Sequence, residues 1–164
     1  MNNDPNKLVV SVADMVVSNN PDDVILTFAL GSCLGLVIYD PVAKVGGMLH
    51  AMLPDSSIHR EHEGPINPYK FVNTGIPVLF KEAYKLGAEK KKMQVKMTGC
   101  SQLMDDNGFF NIGKRNYAAA RKILWKNNVM IDAEFCDSAK SVTLMLEIAT
   151  GNVTMKIQNK VIPL

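Results

Sequence analysis

The sequence lacks an excess of charge of either sign, and it lacks an apolar run long enough to span a membrane. Its 18 Lys and Arg nearly balance 16 Asp and Glu, for a net charge of +2. This balance gives no electrostatic reason to expect a nucleic acid or an anionic membrane as partner. The longest uncharged run, Val24 to Tyr39, is shorter than the about 20 residues of a membrane-spanning helix. We therefore expect no membrane insertion.

Cysteine is also scarce. The three cysteines, Cys33, Cys100 and Cys136, are an odd number and lack the spacing of a disulfide framework. The first residues, MNNDPNK, are polar and lack the apolar centre of a secretory signal. Together these features predict a protein of the reducing cytoplasm.

What is present indicates a folded chain. Hydrophobic residues make up 47% of the 164 positions and charged residues 21%, which is typical of a globular protein with a real core. We expect one domain over residues 1–164.

Strand patterns dominate. The clearest is a predicted β-hairpin, in which Val142, Leu144, Leu146 and Ile148 alternate with more polar residues and 150–152 form the turn. The other predicted strands are 8–17, 24–29, 34–39, 46–54 and 93–99, and the second arm of the hairpin is 153–158.

Helical spacing is found in two segments, Asn67 to Leu86 and Lys114 to Asn127. Pro77 is expected to kink the first helix or to start its main segment, and Gly87 to follow its end. Residues 55–66 and 105–111 are predicted loops. The predicted fold class is α+β, with layered, sandwich-like sheets of mixed strands and about two to three helices packed on one side.

One group of residues suggests chemistry. Gly31 and Ser32 allow a sharp turn that could expose the thiol of Cys33 and aim backbone N–H groups at one point, as an oxyanion hole requires. His50 lies in the apolar run MLHAML, where it is either a satisfied core histidine or a proton-transfer group. From these residues alone, a small core cysteine beside a turn and a catalytic nucleophile are both open.

Other candidates are weaker. His59 and His62 lack a third ligand and are expected on a solvated loop rather than at a metal. Cys100 and Cys136 are predicted to be small buried side chains. The basic run 90–92 is too short to indicate phosphate binding.

The stretch from Thr27 to Pro54 resembles the signature of the chemoreceptor glutamine deamidases, the CheD family. Threonine precedes cysteine by six positions, and cysteine precedes histidine by seventeen. The matching elements are Thr27, Leu30-Gly31-Ser32-Cys33, Tyr39-Asp40-Pro41, Gly46-Gly47, His50 and Leu53-Pro54.

Weaker similarity continues through residues 76–88, 111–116 and 150–153. The family usually has glycine-glycine-alanine where this chain has Gly99-Cys100-Ser101. It also usually has a glycine-rich stretch with an arginine where this chain has CDSAKSV, residues 136–142, and often a glycine near Ala13.

The resemblance implies hydrolysis of glutamine side chains on the cytoplasmic helices of chemoreceptors. Cys33 would be the nucleophile, His50 its base and then the acid for ammonia, and Thr27 the group that orients His50. Backbone N–H groups near Gly31 and Ser32 would hold the oxyanion, and no metal or cofactor would be needed. The family also implies a CheC-type phosphatase as a partner.

Two other functions stay open at this point. The chain could be a non-catalytic module that keeps the fold and docks to receptors or to the phosphatase. It could also be a cysteine hydrolase of small amides.

Overall fold

Two five-stranded β-sheets face each other, and two α-helices cover the outer face of one of them. The computed structural model describes residues 5–102, 111–136 and 138–164. The strands are β1 Asn6–Val9, β2 Asp14–Ser18, β3 Asp23–Leu30, β4 Leu34–Asp40, β5 Val45–Ala51, β6 Gln94–Gly99, β7 Ala133–Cys136, β8 Val142–Glu147, β9 Val153–Ile157 and β10 Lys160–Pro163. The first sheet has the order β1-β3-β8-β9-β10 and the second β2-β5-β4-β6-β7.

The hairpin of β4 and β5 forms the centre of the molecule, and all of its strand residues are buried. Because side chains alternate across a strand, β4 supplies two cores. Leu34, Leu36 and Ile38 face the helices and belong to the helix-side core. Val37 and Tyr39 face the first sheet and belong to the inter-sheet core. A strand covered on both faces reads as a continuous apolar run, as this one does.

Both helices pack on the same side, as the sequence predicts. They are α1 Val72–Lys85 and α2 Ile112–Lys126. α1 buries Ile76 and Leu79, and α2 buries Ala120 and Leu124, all in the helix-side core. The predicted α+β class with mixed sheets is confirmed: β1 with β3 and β6 with β7 are parallel pairs, and the other pairs are antiparallel. Within the described residues, no helix is both long and apolar enough to cross a bilayer.

Several predicted boundaries are wrong. The single strand predicted over 8–17 is two strands, β1 and β2, which join different sheets. Ala13, with φ of 57°, lies just before β2, and this left-handed conformation does not continue a strand. Of the two alternatives for Pro77, the start of the main helical segment is wrong, because the first helix begins at Val72 and contains the proline; a kink at Pro77 stays a prediction.

Other differences lie at the ends of elements. The strand predicted to reach residue 54 ends at Ala51, and Leu53 beyond it makes only an isolated bridge to Phe71. The loop predicted over 55–66 contains two 3-10 turns. The edge strands β7 and β10 were not predicted. Of the loop predicted at 105–111, residues 105–110 lie outside the described residues.

Candidate active site

Thr27 and His50 meet between the two sheets. Thr27 comes from β3 of the first sheet and His50 from β5 of the second, and the two side chains are 0% and 1% exposed. Thr27 Oγ1 lies 2.8 Å from His50 Nδ1 and donates a 2.6 Å hydrogen bond to the carbonyl oxygen of Val10. The structure therefore joins two of the three side chains that the sequence singled out.

This geometry fixes the tautomer of His50. The hydroxyl proton of Thr27 is used by the Val10 carbonyl, which can only accept. Thr27 Oγ1 must then accept from Nδ1–H, so that the lone pair of the neutral ring is on Nε2. His50 Nε2 is buried and has no hydrogen-bond partner among the described residues. The arrangement leaves Nε2 of a buried, neutral imidazole without a partner.

Cys33 lies on the same face of the second sheet as His50. Gly35 is the cross-strand partner of His50, and Cys33, two positions earlier, packs against the inter-sheet core. Cys33 directly precedes β4, and its thiol makes no hydrogen bond with His50 Nε2. Cys33 is half-buried, whereas His50 is enclosed. The thiol is thus the more accessible of the two.

The turn that carries Cys33 is held from behind by three hydrogen bonds. Three consecutive carbonyl oxygens accept, and the donors come from the end of β6 and from α2. The pairs are Ser101 N–H to Gly31 O at 2.9 Å, Asn116 Nδ2–H to Ser32 O at 2.9 Å and Cys100 N–H to Cys33 O at 2.8 Å.

These bonds also set the direction of the N–H groups of the turn. None of the peptide bonds of the described residues is cis, and in a trans peptide the N–H points opposite to the carbonyl. The N–H groups of Ser32 and Cys33 therefore face away from β6 and α2, and the N–H of Cys33 lies close enough to its own thiol to affect the pKa of that thiol.

Two glycines make this close approach possible. A Cβ on Gly99 would lie 2.2 Å from the carbonyl oxygen of Cys33, and Gly99 has φ of +85°. A Cβ on Gly113, in the first turn of α2, would lie 2.3 Å from the carbonyl oxygen of Ser101. Larger residues at either position would push the backing segment away from the turn.

Burial acts on both ionisable groups. It raises the pKa of the Cys33 thiol. The backbone N–H of Cys33 has the smaller, opposite effect and lowers this pKa. Burial also lowers the pKa of His50. Both shifts favour a neutral thiol and a neutral imidazole in the resting protein.

The remaining candidates are placed elsewhere. Cys100 is buried in the helix-side core, and a hydrogen bond with Cys136, together with burial, raises its pKa. His59 Nε2 lies 2.8 Å from the carbonyl oxygen of Gly64, and its Nδ1 lies 3.3 Å from Glu63. These contacts hold His59 within its own loop.

Asn116 is the contributor that was missed from the sequence. A signal existed, because Asn116 precedes Ala120 and Leu124 at helical spacing on the buried stripe of α2. An amide on an apolar stripe indicates a specific buried partner.

Comparison with known sequences identifies relatives. A family model described as CheD chemotactic sensory transduction matches residues 52–157, a range that includes Asn116 and begins after His50. A Syntrophus aciditrophicus protein named probable chemoreceptor glutamine deamidase CheD 1 is 50% identical over 149 residues, 91% of this chain and 92% of its own. A Solibacter usitatus protein named probable chemoreceptor glutamine deamidase CheD is 44% identical over 94% of this chain and 90% of its own.

A solved structure shares the fold. The crystal structure of a Neisseria meningitidis protein of the DUF152 family superposes with a TM-score of 0.50 at 9% identity. The match covers 82% of this chain, which spans 64% of the Neisseria protein.

Proposed function

This chain belongs to the CheD family of chemotactic sensory transduction proteins, and from that premise we propose that it hydrolyses glutamine side chains of chemoreceptors to glutamate, with Cys33 as the nucleophile. Relatives that align over most of the chain carry the name of that activity. The observation that carries the proposal is the Thr27–His50 hydrogen bond, which leaves Nε2 of a buried histidine unpaired on the face that holds Cys33.

In the first half of the reaction, Cys33 Sγ attacks Cδ of the glutamine side chain. The thiol proton passes to His50 Nε2, and the carbonyl oxygen becomes an oxyanion facing the N–H groups of Ser32 and Cys33. His50 then returns the proton to the nitrogen as the C–N bond breaks. Ammonia leaves, and a thioester joins the glutamyl group to Cys33.

In the second half, water attacks the thioester carbon while His50 Nε2 takes a proton from it. The C–S bond breaks, the proton returns to Cys33 Sγ, and glutamate is released. The sum is addition of water and loss of ammonia, so the steps call on no metal or cofactor.

Thr27 is proposed to orient His50. Its hydroxyl accepts from Nδ1–H and keeps the lone pair on Nε2 in the direction of Cys33. A neutral hydroxyl stabilises an imidazolium less than a carboxylate does. This agrees with a site in which His50 is neutral in the resting protein and is protonated only during the reaction. Gly31 contributes through its carbonyl, which anchors the turn.

The partners follow from the family. We propose the cytoplasmic helices of chemoreceptors as substrate and the cytoplasm as the location, and we expect a CheC-type phosphatase as a regulatory partner. The half-buried position of Cys33 favours an extended or exposed glutamine side chain that reaches into the turn.

Intact-mass measurement of a receptor cytoplasmic fragment incubated with the protein tests the proposal. Each converted glutamine replaces NH2 by OH, and peptide mapping locates it. We expect conversion by the parent protein and none by Cys33→Ala, which should still bind the fragment. A complex without a mass change would indicate a binding module. Ammonia release from small amides with an unchanged receptor would indicate a different amidase.

A further inference from the structure

Asn116 joins the two backbone segments that carry the nucleophile and the base. Its side chain is 0% exposed, and Nδ2 donates to Ser32 O at 2.9 Å and to Met52 O at 3.0 Å. Ser32 directly precedes Cys33, and Met52 follows His50 by two residues. One amide group therefore holds both segments at fixed separation.

The orientation of this amide is set by its partners. Two carbonyl oxygens face it, so only the NH2 group can satisfy them, and the reversed orientation would place Oδ1 against both. Oδ1 itself is buried without a hydrogen-bond partner among the described residues. An unsatisfied buried acceptor destabilises a fold. Helix packing alone gives no reason to keep one there.

We propose that Asn116 is a positioning residue that orients the Ser32–Cys33 peptide, so that the Cys33 N–H faces the carbonyl oxygen under attack. The Ser32 carbonyl accepts from no other described residue. Without Asn116 this peptide plane is free to rotate, and the N–H rotates with it because the peptide is planar. The substrate named here rests on the proposed function, but the geometric inference does not.

Two reagents separate orientation of the N–H from exposure of the thiol. Iodoacetamide alkylates Cys33 by displacing iodide and forms no oxyanion. p-Nitrophenyl acetate acylates it: the S–C bond forms, the thiol proton is transferred to His50, and a tetrahedral oxyanion precedes loss of p-nitrophenolate. Only the second reaction needs the N–H donors. Peptide mapping gives both rates at Cys33 in the full-length protein.

We expect Asn116→Asp and Asn116→Ala to slow acylation of Cys33 about tenfold or more, since loss of a complete oxyanion donor costs about 10²–10³-fold. Alkylation should change by less than about threefold, because the half-buried thiol stays as accessible as in the parent. With the receptor fragment, kcat should fall in proportion to acylation while KM stays near that of the parent. If Asn116→Asp fails to fold, the test rests on Asn116→Ala, because that variant adds no charge.

Tyr39→Phe is the matched control. It removes another buried hydrogen bond, from the Tyr39 hydroxyl to Ile148 O at 2.8 Å, at the far end of β4. It should lower thermal stability and leave both rates at Cys33 unchanged. Equal slowing of acylation and alkylation in the Asn116 variants, or no slowing of either, would overturn the inference. A parent protein that acylates normally but leaves receptor glutamines intact would refute the proposed function and leave the positioning role in place.

Discussion

Buried polar groups lie at both ends of the β4–β5 hairpin, but they have hydrogen-bond partners at one end and lack them at the other. At the turn end, Asp40 is 1% exposed, and three backbone N–H groups donate to its carboxylate. Burial works to raise the pKa of Asp40, but these N–H groups outweigh it and the pKa is lowered. The three donors and their distances are Val42 at 2.8 Å, Ala43 at 3.0 Å and Glu89 at 2.8 Å.

At the Cys33 end, buried polar atoms are left without partners. Within the described residues, four buried side-chain atoms make no hydrogen bond, and three of them cluster here: His50 Nε2, Ser101 Oγ and Asn116 Oδ1. Cys100, which supplies one of the bonds to the turn, has φ of +54°, a conformation that favours the glycine usual in the family.

The difference separates an end whose polar groups are paired from an end where they are not, and the proposed function uses the second. The paired carboxylate stabilises the turn end, because each donor would lose its partner if the strands moved. At the other end, an unpaired imidazole nitrogen lowers stability slightly and would be available for the proposed proton transfer. Substitutions at the Asp40 end should therefore change mainly the free energy of unfolding, and substitutions at the Cys33 end should change mainly turnover.

The largest effect is expected from His50→Ala. Loss of the base should lower kcat by about 10³-fold or more, within the range of general acid–base catalysis and covalent activation. The free energy of unfolding should fall by about 1–2 kcal/mol, because the variant loses one hydrogen bond, from Nδ1–H to Thr27 Oγ1, and Nε2 has none to lose. Receptor deamidation and urea unfolding measure the two. A variant that melts far below the parent yet keeps its activity at low temperature would assign His50 to the core.

Asp40→Ala should give the reverse result. Three part-buried backbone N–H groups lose their acceptor, and the free energy of unfolding should fall by about 3 kcal/mol. The kcat of the folded variant, measured at low temperature, should stay within about twofold of the parent. Reduced turnover at unchanged stability would show that the two ends are coupled and would contradict their separate roles in stability and turnover.

Much of the fold could be predicted because its signal is local. The hairpin of β8 and β9 alternates apolar and polar side chains, and the apolar set forms part of the inter-sheet core. The strands β7 and β10 gave no such signal, because they lie at sheet edges and are mostly exposed or half-buried. Edge strands bury too little surface to impose a pattern.

The site could be predicted only in part, for a related reason. The spacing and the family likeness single out Thr27, Cys33 and His50, and of the contacts among them the structure shows the one between Thr27 and His50. The three donors behind the turn come from β6 and α2, far along the chain, and two of them are backbone N–H groups. Almost every residue type has a backbone N–H group, so the sequence carries no signal for a backbone donor. Of the three donors, only Asn116 acts through its side chain and could be recognised from the sequence.

A smaller effect is expected from Thr27→Val. The variant keeps the shape of the side chain but loses the acceptor for Nδ1–H of His50, so the imidazole can adopt either tautomer. One hydrogen bond is worth about 1.4 kcal/mol, which corresponds to about a tenfold loss of kcat. Steady-state kinetics on the receptor fragment measure it.

Thr98→Val is its matched control, because Thr98 is also 0% exposed and donates one hydrogen bond, to Phe135 O at 2.6 Å. Thr27→Val loses two hydrogen bonds and Thr98→Val loses one, so Thr27→Val should lose somewhat more stability, and only Thr27→Val should lose turnover. Equal losses of turnover would mean that packing around the sheet, rather than orientation of His50, controls the rate.

The smallest predicted effect is a pH dependence of stability that distinguishes the two ends. Burial lowers the pKa of His50 below its ordinary 6.5. Above pH 6.5 the folded and unfolded states both hold it neutral. As the pH falls below 6.5, the unfolded state binds the proton first, so the free energy of unfolding decreases until the folded pKa is reached. Asp40 acts in a lower window, below its ordinary 3.8, as its lowered pKa is approached.

Urea unfolding of the parent and of His50→Ala between pH 8 and about pH 5 measures this contribution. The parent should lose more stability than the variant over the acidic half of that range, with an added slope of at most about 1.4 kcal/mol per pH unit, the value for one proton. Since Asp40 stays ionised throughout, the difference belongs to the Cys33 end alone. Identical slopes would mean that the buried ring of His50 is protonated as easily in the folded state as in the unfolded one. That result would contradict the neutral state of His50 in the resting protein, on which the proposed proton transfer at the Cys33 end depends.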